Sequence, residues 1–247
     1  MSKQLKIIIV IACIILAVML GIFIFVPGLP TYIRVKIQYP EIDLVLEEYA
    51  ESDVEVPADF VRVKFGDIYV KGPSGALNRD SAGSQIILKD DTKFLFKDKG
   101  EIMVMAYKSE KGNINNLSDF YEPEFSEAEE RWFYSELDME YPDTLSESIG
   151  TMYAINSKDC LKLRGTDSEI FLDLAKGKTA AAEIETPYIY KNGNISGYVC
   201  DIHKGSYKYC RNVVFDWNSS EYIISIYGNS LETVEQIIAS IETAEEE

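Results

Sequence analysis

Apolar and small residues run from Ile7 to Val26 without a charge, and no other stretch of the chain matches this pattern. Wound as a helix, the run would extend about 30 Å, the thickness of a bilayer's hydrocarbon core. A secretory signal has an apolar core of about 7–15 residues and ends in a small-x-small cleavage site. Here the run ends Gly21-Ile22-Phe23-Ile24-Phe25-Val26, which offers no such site. Val10-Ile11-Ala12-Cys13 loosely matches a lipobox, but a lipidated Cys13 would leave Ile14 to Val26 as a hydrophobic stub. The pattern therefore predicts a retained transmembrane helix over 7–26. A short tail, 1–6, precedes it and a linker, 27–31, follows.

Beyond Pro27 and Pro30 the period changes. Ile33, Val35, Ile37 and Tyr39 alternate with Arg34, Lys36 and Gln38, which predicts a half-buried strand or an extended stalk. Pro40 then opens a short helix whose apolar positions are Ile42, Val45, Leu46 and Tyr49. Next comes a β-rich block. "DFVRVKF" and "DIYVKG" meet in a hairpin at Gly66-Asp67, and "SQIILK", "TKFLFK" and "EIMVMAY" follow between turn residues. Two loops, 72–84 and 109–125, are long enough to carry function.

Ser126-x-x-Glu129 is a capping box that starts a helix. A second helix is predicted from about Asp143 to Ile155. "EIFLDLA" fits either a buried strand or a helix, and its period does not separate them. The C-terminal part reads as four strands, "AAEIETPYIYK", "ISGYVCDIH", "SYKYCRNVVFDW" and "EYIISIYG". Asn192-Gly193 is a hairpin signal. Asn229-x-x-Glu232 marks a last helix with Leu231, Val234, Ile237, Ile238 and Ile241 as its apolar stripe. A meander closed by a packed helix is an α+β pattern with a mainly antiparallel sheet. With no repeat and no low-complexity linker, one α+β domain is expected over 32–242, followed by an acidic tail, 243–247.

Composition narrows the partners. The net charge is −17, and Lys3 and Lys6 lie ahead of the apolar run, so the remainder is more acidic still. Such a surface repels nucleic acid and anionic headgroups. With 47% hydrophobic and 12% aromatic residues the chain can build a core. Lys3 and Lys6 stand before the span against Arg34 and Lys36 after it. Positive-inside counting places the N-terminus inside by a narrow margin.

Catalytic signatures are sparse. His203 is the one histidine, so any Ser-His-Asp or Cys-His scheme would have to use it. Cys200 and His203 form a C-x-x-H, and Cys210 could join them, but a structural zinc site needs four ligands. The fourth would be Cys160 or an acid. Cys200 and Cys210 lie symmetrically about Gly205. An odd loop centred there makes them direct cross-strand neighbours able to form a disulfide, whereas a two-residue turn at Lys204-Gly205 puts Cys200 opposite Tyr209. "GKT" at 177–179 lacks the leading glycine of a P-loop, since Leu172 holds that place. Trp132, Phe133 and Tyr134 beside Glu129, Glu130 and Glu136 fit a sugar site or an amphipathic helix with an acidic outer face. N-x-S/T triplets stand at Asn116, Asn194 and Asn218. No catalytic residue, metal ligand or cofactor-binding residue is assigned.

The apolar run at 7–26 and the ending "YIISIYGNSLETVEQIIASIE" together resemble uncharacterised single-pass envelope proteins of low-GC Gram-positive bacteria. The ending, a strand followed by a terminal amphipathic helix, is also similar to PsbP-type sandwiches. The resemblance implies an α/β sandwich and carries no functional motif. The expectation is a single-pass protein of the cell membrane, held by lipid around its N-terminal helix, with an extracytoplasmic domain. That domain would bind an envelope protein or act as an accessory module. A cell-surface carboxylate-dependent hydrolase is the alternative.

Overall fold

A computed structural model describes residues 3–50, 54–77, 92–98, 100–111, 125–203 and 206–244. The expected strand "SQIILK", Asn116, the Lys204-Gly205 turn and most of the 72–84 and 109–125 loops lie outside these residues. The fold is α+β with antiparallel sheets. Instead of one unit over 32–242, the chain groups into two compact units. The first comprises Met1–Leu44, Pro123–Tyr141 and Met152–Thr179. The second comprises Val45–Glu122, Pro142–Thr151 and Ala180–Glu247.

The first unit is helical. Helix α1 spans Lys3–Phe25, and every side chain from Ile8 to Val18 is exposed. Among the described residues no helix is long and apolar enough to cross a membrane. The expected span over 7–26 thus has a helical backbone and an exposed apolar surface as its structural support, and no more.

Where a strand or stalk was expected, α2 spans Leu29–Gln38. The alternation of Ile33, Val35, Ile37 and Tyr39 coexists with a helical pattern, Tyr32, Val35 and Tyr39, which packs inward. Pro30 in the first helical turn is compatible with the helix, because its fixed φ suits that position. The helix expected after Pro40 shortens to a 3-10 turn, Pro40–Asp43, and Leu44 is already extended. The Ser126 capping box forms as expected and opens α3, Glu127–Glu136. The ambiguous "EIFLDLA" is helical, within α5, Thr166–Ile184. Val35, Ile42, Phe133, Cys160, Phe171 and Ala175 meet in this unit's core.

Gly28 joins α1 to α2 against the 3-10 turn Asp159–Lys162. A Cβ at position 28 would stand 1.7 Å from the Cys160 carbonyl oxygen, so only glycine fits.

The second unit holds the sheets. Strands β1 (Val61–Phe65) and β2 (Ile68–Gly72) turn at Gly66-Asp67 as expected, and β9 (Glu242–Thr243) pairs with β2. The larger sheet runs β3 (Thr92–Asp98), β4 (Ile102–Glu110), β8 (Ser220–Gly228), β7 (Tyr209–Trp217), β6 (Ile195–Ile202), β5 (Glu185–Asn192). The four C-terminal strands form as read, although Ala181 to Ile184 stay in α5. Asn192 pairs with Ile195, so the hairpin loop is Gly193-Asn194 and the positive φ falls on Gly193.

Helix α6, Leu231–Ala239, is capped by Ser230 rather than Asn229; the Ser230 hydroxyl accepts from Thr233 N. Val234, Ile237 and Ile238 of α6 pack with Ile68 and Val70 of the small sheet and with Val213, Phe215 and Ile224 of the large one. Helix α4, Leu145–Ala154, matches the predicted second helix, and its residues through Thr151 belong to this unit.

Candidate functional site

The sequence-derived candidates separate in space. Cys200 pairs across the sheet with Asn212, so the direct opposition needed for a Cys200–Cys210 bridge is not met, and both thiols are free. The register is centred one residue later than Gly205, which accounts for the offset. Burial pushes the Cys160 and Cys200 thiols up to about 12, so neither is a thiolate at neutral pH. Cys160 Sγ donates to Ser157 O at 3.0 Å in the first unit's core. His203 is exposed, and its Nε2 lies 2.8 Å from Thr186 Oγ1. Among the described residues no group of three or more His, Cys, Asp or Glu could hold a metal ion.

The aromatic run on α3 is divided by its helical geometry. Phe133 is buried in the core, and Trp132 is 61% exposed. Tyr134 packs edge-on against Tyr141, whose hydroxyl donates to Glu130 Oε2 at 3.1 Å. Arg131 stands over the Tyr141 ring at 4.3 Å. These contacts serve the helix and its following turn.

Three buried polar constellations were not singled out from sequence. In the first unit Lys178 is fully buried, and its Nζ donates to Ile42 O at 2.7 Å and Ile155 O at 3.2 Å. Its ammonium lies 4.8 Å from the Tyr153 ring centroid. Burial lowers its pKa to about 8, partly opposed by the Asp43 carboxylate. A signal for it was present: Lys178 falls on the same face as Phe171 and Ala175 at i, i+4 and i+7 spacing.

In the second unit Arg211 of β7 meets Glu235 of α6 and Tyr49 in a short triangle. Arg211 Nη1 donates to both Tyr49 Oη and Glu235 Oε1, and the Tyr49 hydroxyl donates to Glu235 Oε2. Tyr49 is set there by backbone bonds from Tyr49 N to Ile189 O (2.7 Å) and from Ile189 N to Glu47 O (2.8 Å), which add a parallel bridge to the β5 edge. Burial, then the Glu235 hydrogen bond, raises the Tyr49 pKa, so the phenol stays protonated.

The third constellation is an acidic pair. Asp216 and Glu221 are direct cross-strand partners on the β7–β8 hairpin. Such neighbours have Cβ atoms about 4.5–5.5 Å apart, and like charges there repel. Thr144 Oγ1 donates to Asp216 Oδ2 at 2.9 Å, Lys111 Nζ lies 3.5 Å from the same oxygen, and Leu145 N donates to Glu221 Oε1 at 3.3 Å. Burial raises both carboxyl pKa values, opposed at Asp216 by the Thr144 hydrogen bond and at Glu221 by the Leu145 N–H. Both acids thus hold the N-terminal end of α4, where negative charge is favourable.

The described residues of the second unit include the linings of a larger and a smaller cleft. The larger, about 470 Å³, is lined by Arg62, Tyr69, Asn192, Asn194 and Glu242. The Arg62 guanidinium stacks 3.5 Å from the Tyr69 ring centroid, and its Nε pairs with Glu242 at 2.7 Å. Asn192 Nδ2 donates to Ala239 O and Ile241 O, which fixes one wall to the end of α6. The smaller cleft, about 200 Å³, has an apolar floor of Pro73, Ala76 and Ile102 beneath Asp98, Glu101 and Ser230. The lining of the larger cleft is polar, a cation, an aromatic ring, amides and a carboxylate, with Arg62, Tyr69 and Glu242 engaged with one another.

No protein-family model, no curated protein and no solved structure matches the chain.

Proposed function

We propose that this protein is a membrane-tethered extracytoplasmic module that binds an envelope component or serves as an accessory subunit. The observation that carries the reading is α1. It is helical from Lys3 to Phe25, exposes every side chain from Ile8 to Val18, and belongs to a chain with no charge between Ile7 and Val26. Exposed apolar and small side chains in unbroken succession from Ile8 to Val18 are unfavourable in water and favourable in lipid. The folded remainder carries the polar cleft at Arg62 and Tyr69, which we take as its recognition surface.

The test is fractionation of cells making the full chain. The protein should stay with membranes through alkaline carbonate, and protease added to intact cells should digest the body. A carbonate-soluble protein, or a body untouched by protease, overturns the reading. Crosslinking in membranes should capture a partner with the parent chain and lose it with Arg62→Ala/Tyr69→Ala.

Among the described residues the Asp216–Glu221 pair is the arrangement that favours a carboxylate-dependent hydrolase. Its engagement with Thr144, Lys111 and the α4 N-terminus supports the structural use instead. Asp216→Ala, which removes the acceptor of the Thr144 hydroxyl and the Lys111 ion pair, should lower the thermal midpoint by several degrees at pH 7.5 if the use is structural. An unchanged or raised midpoint would count against the structural use.

A further inference from the structure

We infer that α2 lies in the lipid headgroup layer, with Ile33 and Ile37 turned to the acyl boundary and the Arg34 and Arg164 guanidinium groups beside anionic phosphates. The inference rests on reading α1 as a membrane anchor.

The faces of α2 carry the argument. At about 100° per residue, Tyr32, Val35 and Tyr39 share one side of the helix, and these three pack in the core of their unit. Ile33 and Ile37 fall on the opposite side and are 50% and 75% exposed. Arg34 falls on one flank of that stripe and Lys36 on the other. Lys36 is already paired with Asp43 at 2.7 Å; among the described residues Arg34 bonds within its own helix, to Gln38 at 3.0 Å. An apolar stripe between basic flanks is the pattern of a helix lying in the membrane interface.

Position selects lipid as the occupant. Helix α1 ends at Phe25 and α2 begins at Leu29, so the connection cannot exceed about 13 Å even when extended. Gly28 N donates to Leu161 O at 3.1 Å, and Arg164 Nη2 donates to Ile24 O at 3.3 Å. One short segment thus fastens both the end of α1 and the entry to α2. If α1 ends at the bilayer surface, α2 starts there. Charge agrees: α2 has no acidic residue in a chain of net charge −17, and Arg164 adds an exposed cation at the same end. The acidic remainder is repelled by anionic lipid, which leaves this element as the part that can approach it.

The experiment uses the full chain in nanodiscs of phosphatidylcholine, alone or mixed with phosphatidylglycerol. A bimane is placed at Ile37→Cys in a Cys13→Ala background, with the parent lacking the new cysteine as the labelling control. The expected result is blue-shifted emission that is quenched by lipids carrying a nitroxide near the headgroup. Quenching should be stronger in the mixed discs, and Arg34→Gln/Arg164→Gln should abolish that preference. Water-like, unquenched emission from a chain that remains in the disc overturns the inference and leaves the anchor standing. Equal quenching in both lipids overturns the anionic-phosphate part. A chain that fails to enter discs overturns the anchor reading itself.

Discussion

At the scale of single residues, the buried cation Lys178 has the clearest consequence. Its two carbonyl partners cannot neutralise it, and burial lowers its pKa from the ordinary 10.5 to about 8. Between these values the unfolded chain binds a proton that the folded chain has released. Stability therefore rises with pH across that window. Urea unfolding at pH 8 and 9.5 should show the rise in the parent and a flatter response in Lys178→Met. Tyr49 and Tyr134, with raised pKa values, oppose the trend only above pH 10, as their unfolded counterparts ionise first. The Arg211–Glu235–Tyr49 triangle behaves differently, because its charges compensate one another. Glu235→Ala leaves a guanidinium that is 12% exposed with the more distant Asp201 carboxylate, at 3.8 Å, as its remaining counter-charge. Breaking such a pair costs about 3–5 kcal/mol, measurable as a lower urea midpoint with an unchanged slope. Neither group was read from the sequence. Arg211 alternates with Tyr209, Val213 and Phe215 on the core face of β7, but its charge spoke against burial, and its partners come from 24 and 162 residues away.

At the scale of elements, helix starts hold the fold at identifiable points. The Thr144 hydroxyl accepts from Glu147 N at 3.1 Å and donates to Asp216 at 2.9 Å, so it caps α4 and ties it to the β7–β8 hairpin. Thr144→Ala should cost about 1–2 kcal/mol, as cap removals do, and Thr144→Ser should recover most of it in the same thermal melts. Elements whose signals are local were readable in sequence. The Ser126 capping box, the Gly66-Asp67 turn and the four C-terminal strands all form, because caps, positive φ and period-two burial act within a few residues. The α2 segment was misread for a physical reason. Ile33, Val35 and Ile37 satisfy the strand period, while the burial that selects the helix depends on Phe133 and Phe171, far along the chain. The cysteine register failed similarly, since moving its centre by one residue, from 205 to 206, moves the partner of Cys200 by two, from Cys210 to Asn212. Of the candidate cleft only the turn at Asn192-Gly193 and the triplet at Asn194 were marked in advance, because Glu242 reaches the β1–β2 hairpin through the pairing of β9 with β2, and Asn192 joins through its bonds to Ala239 O and Ile241 O.

At the scale of the whole molecule, charge sets a measurable response to salt. Forty-one Asp and Glu face 24 Lys and Arg. Exposed ion pairs such as Lys191–Glu48 and Arg62–Glu242 contribute at most about 1 kcal/mol each and are weakened by salt. Repulsion among the surplus carboxylates acts over longer distances and is weakened by the same salt. The screening length falls from about 30 Å at 0.01 M to about 8 Å at 0.15 M. Over that interval distant like charges cease to interact, while contact pairs below 4 Å still do. Repulsion therefore loses more than attraction, and the folded state gains. The thermal midpoint of the full chain in a non-ionic detergent should rise between 10 and 150 mM NaCl at pH 7.5. At pH 4.5 many of the surplus carboxylates are protonated, and the same addition of salt should have a smaller effect. A midpoint that falls with salt at pH 7.5 would mean that the paired charges, Arg211–Glu235 foremost, outweigh the acidic surplus in holding the fold.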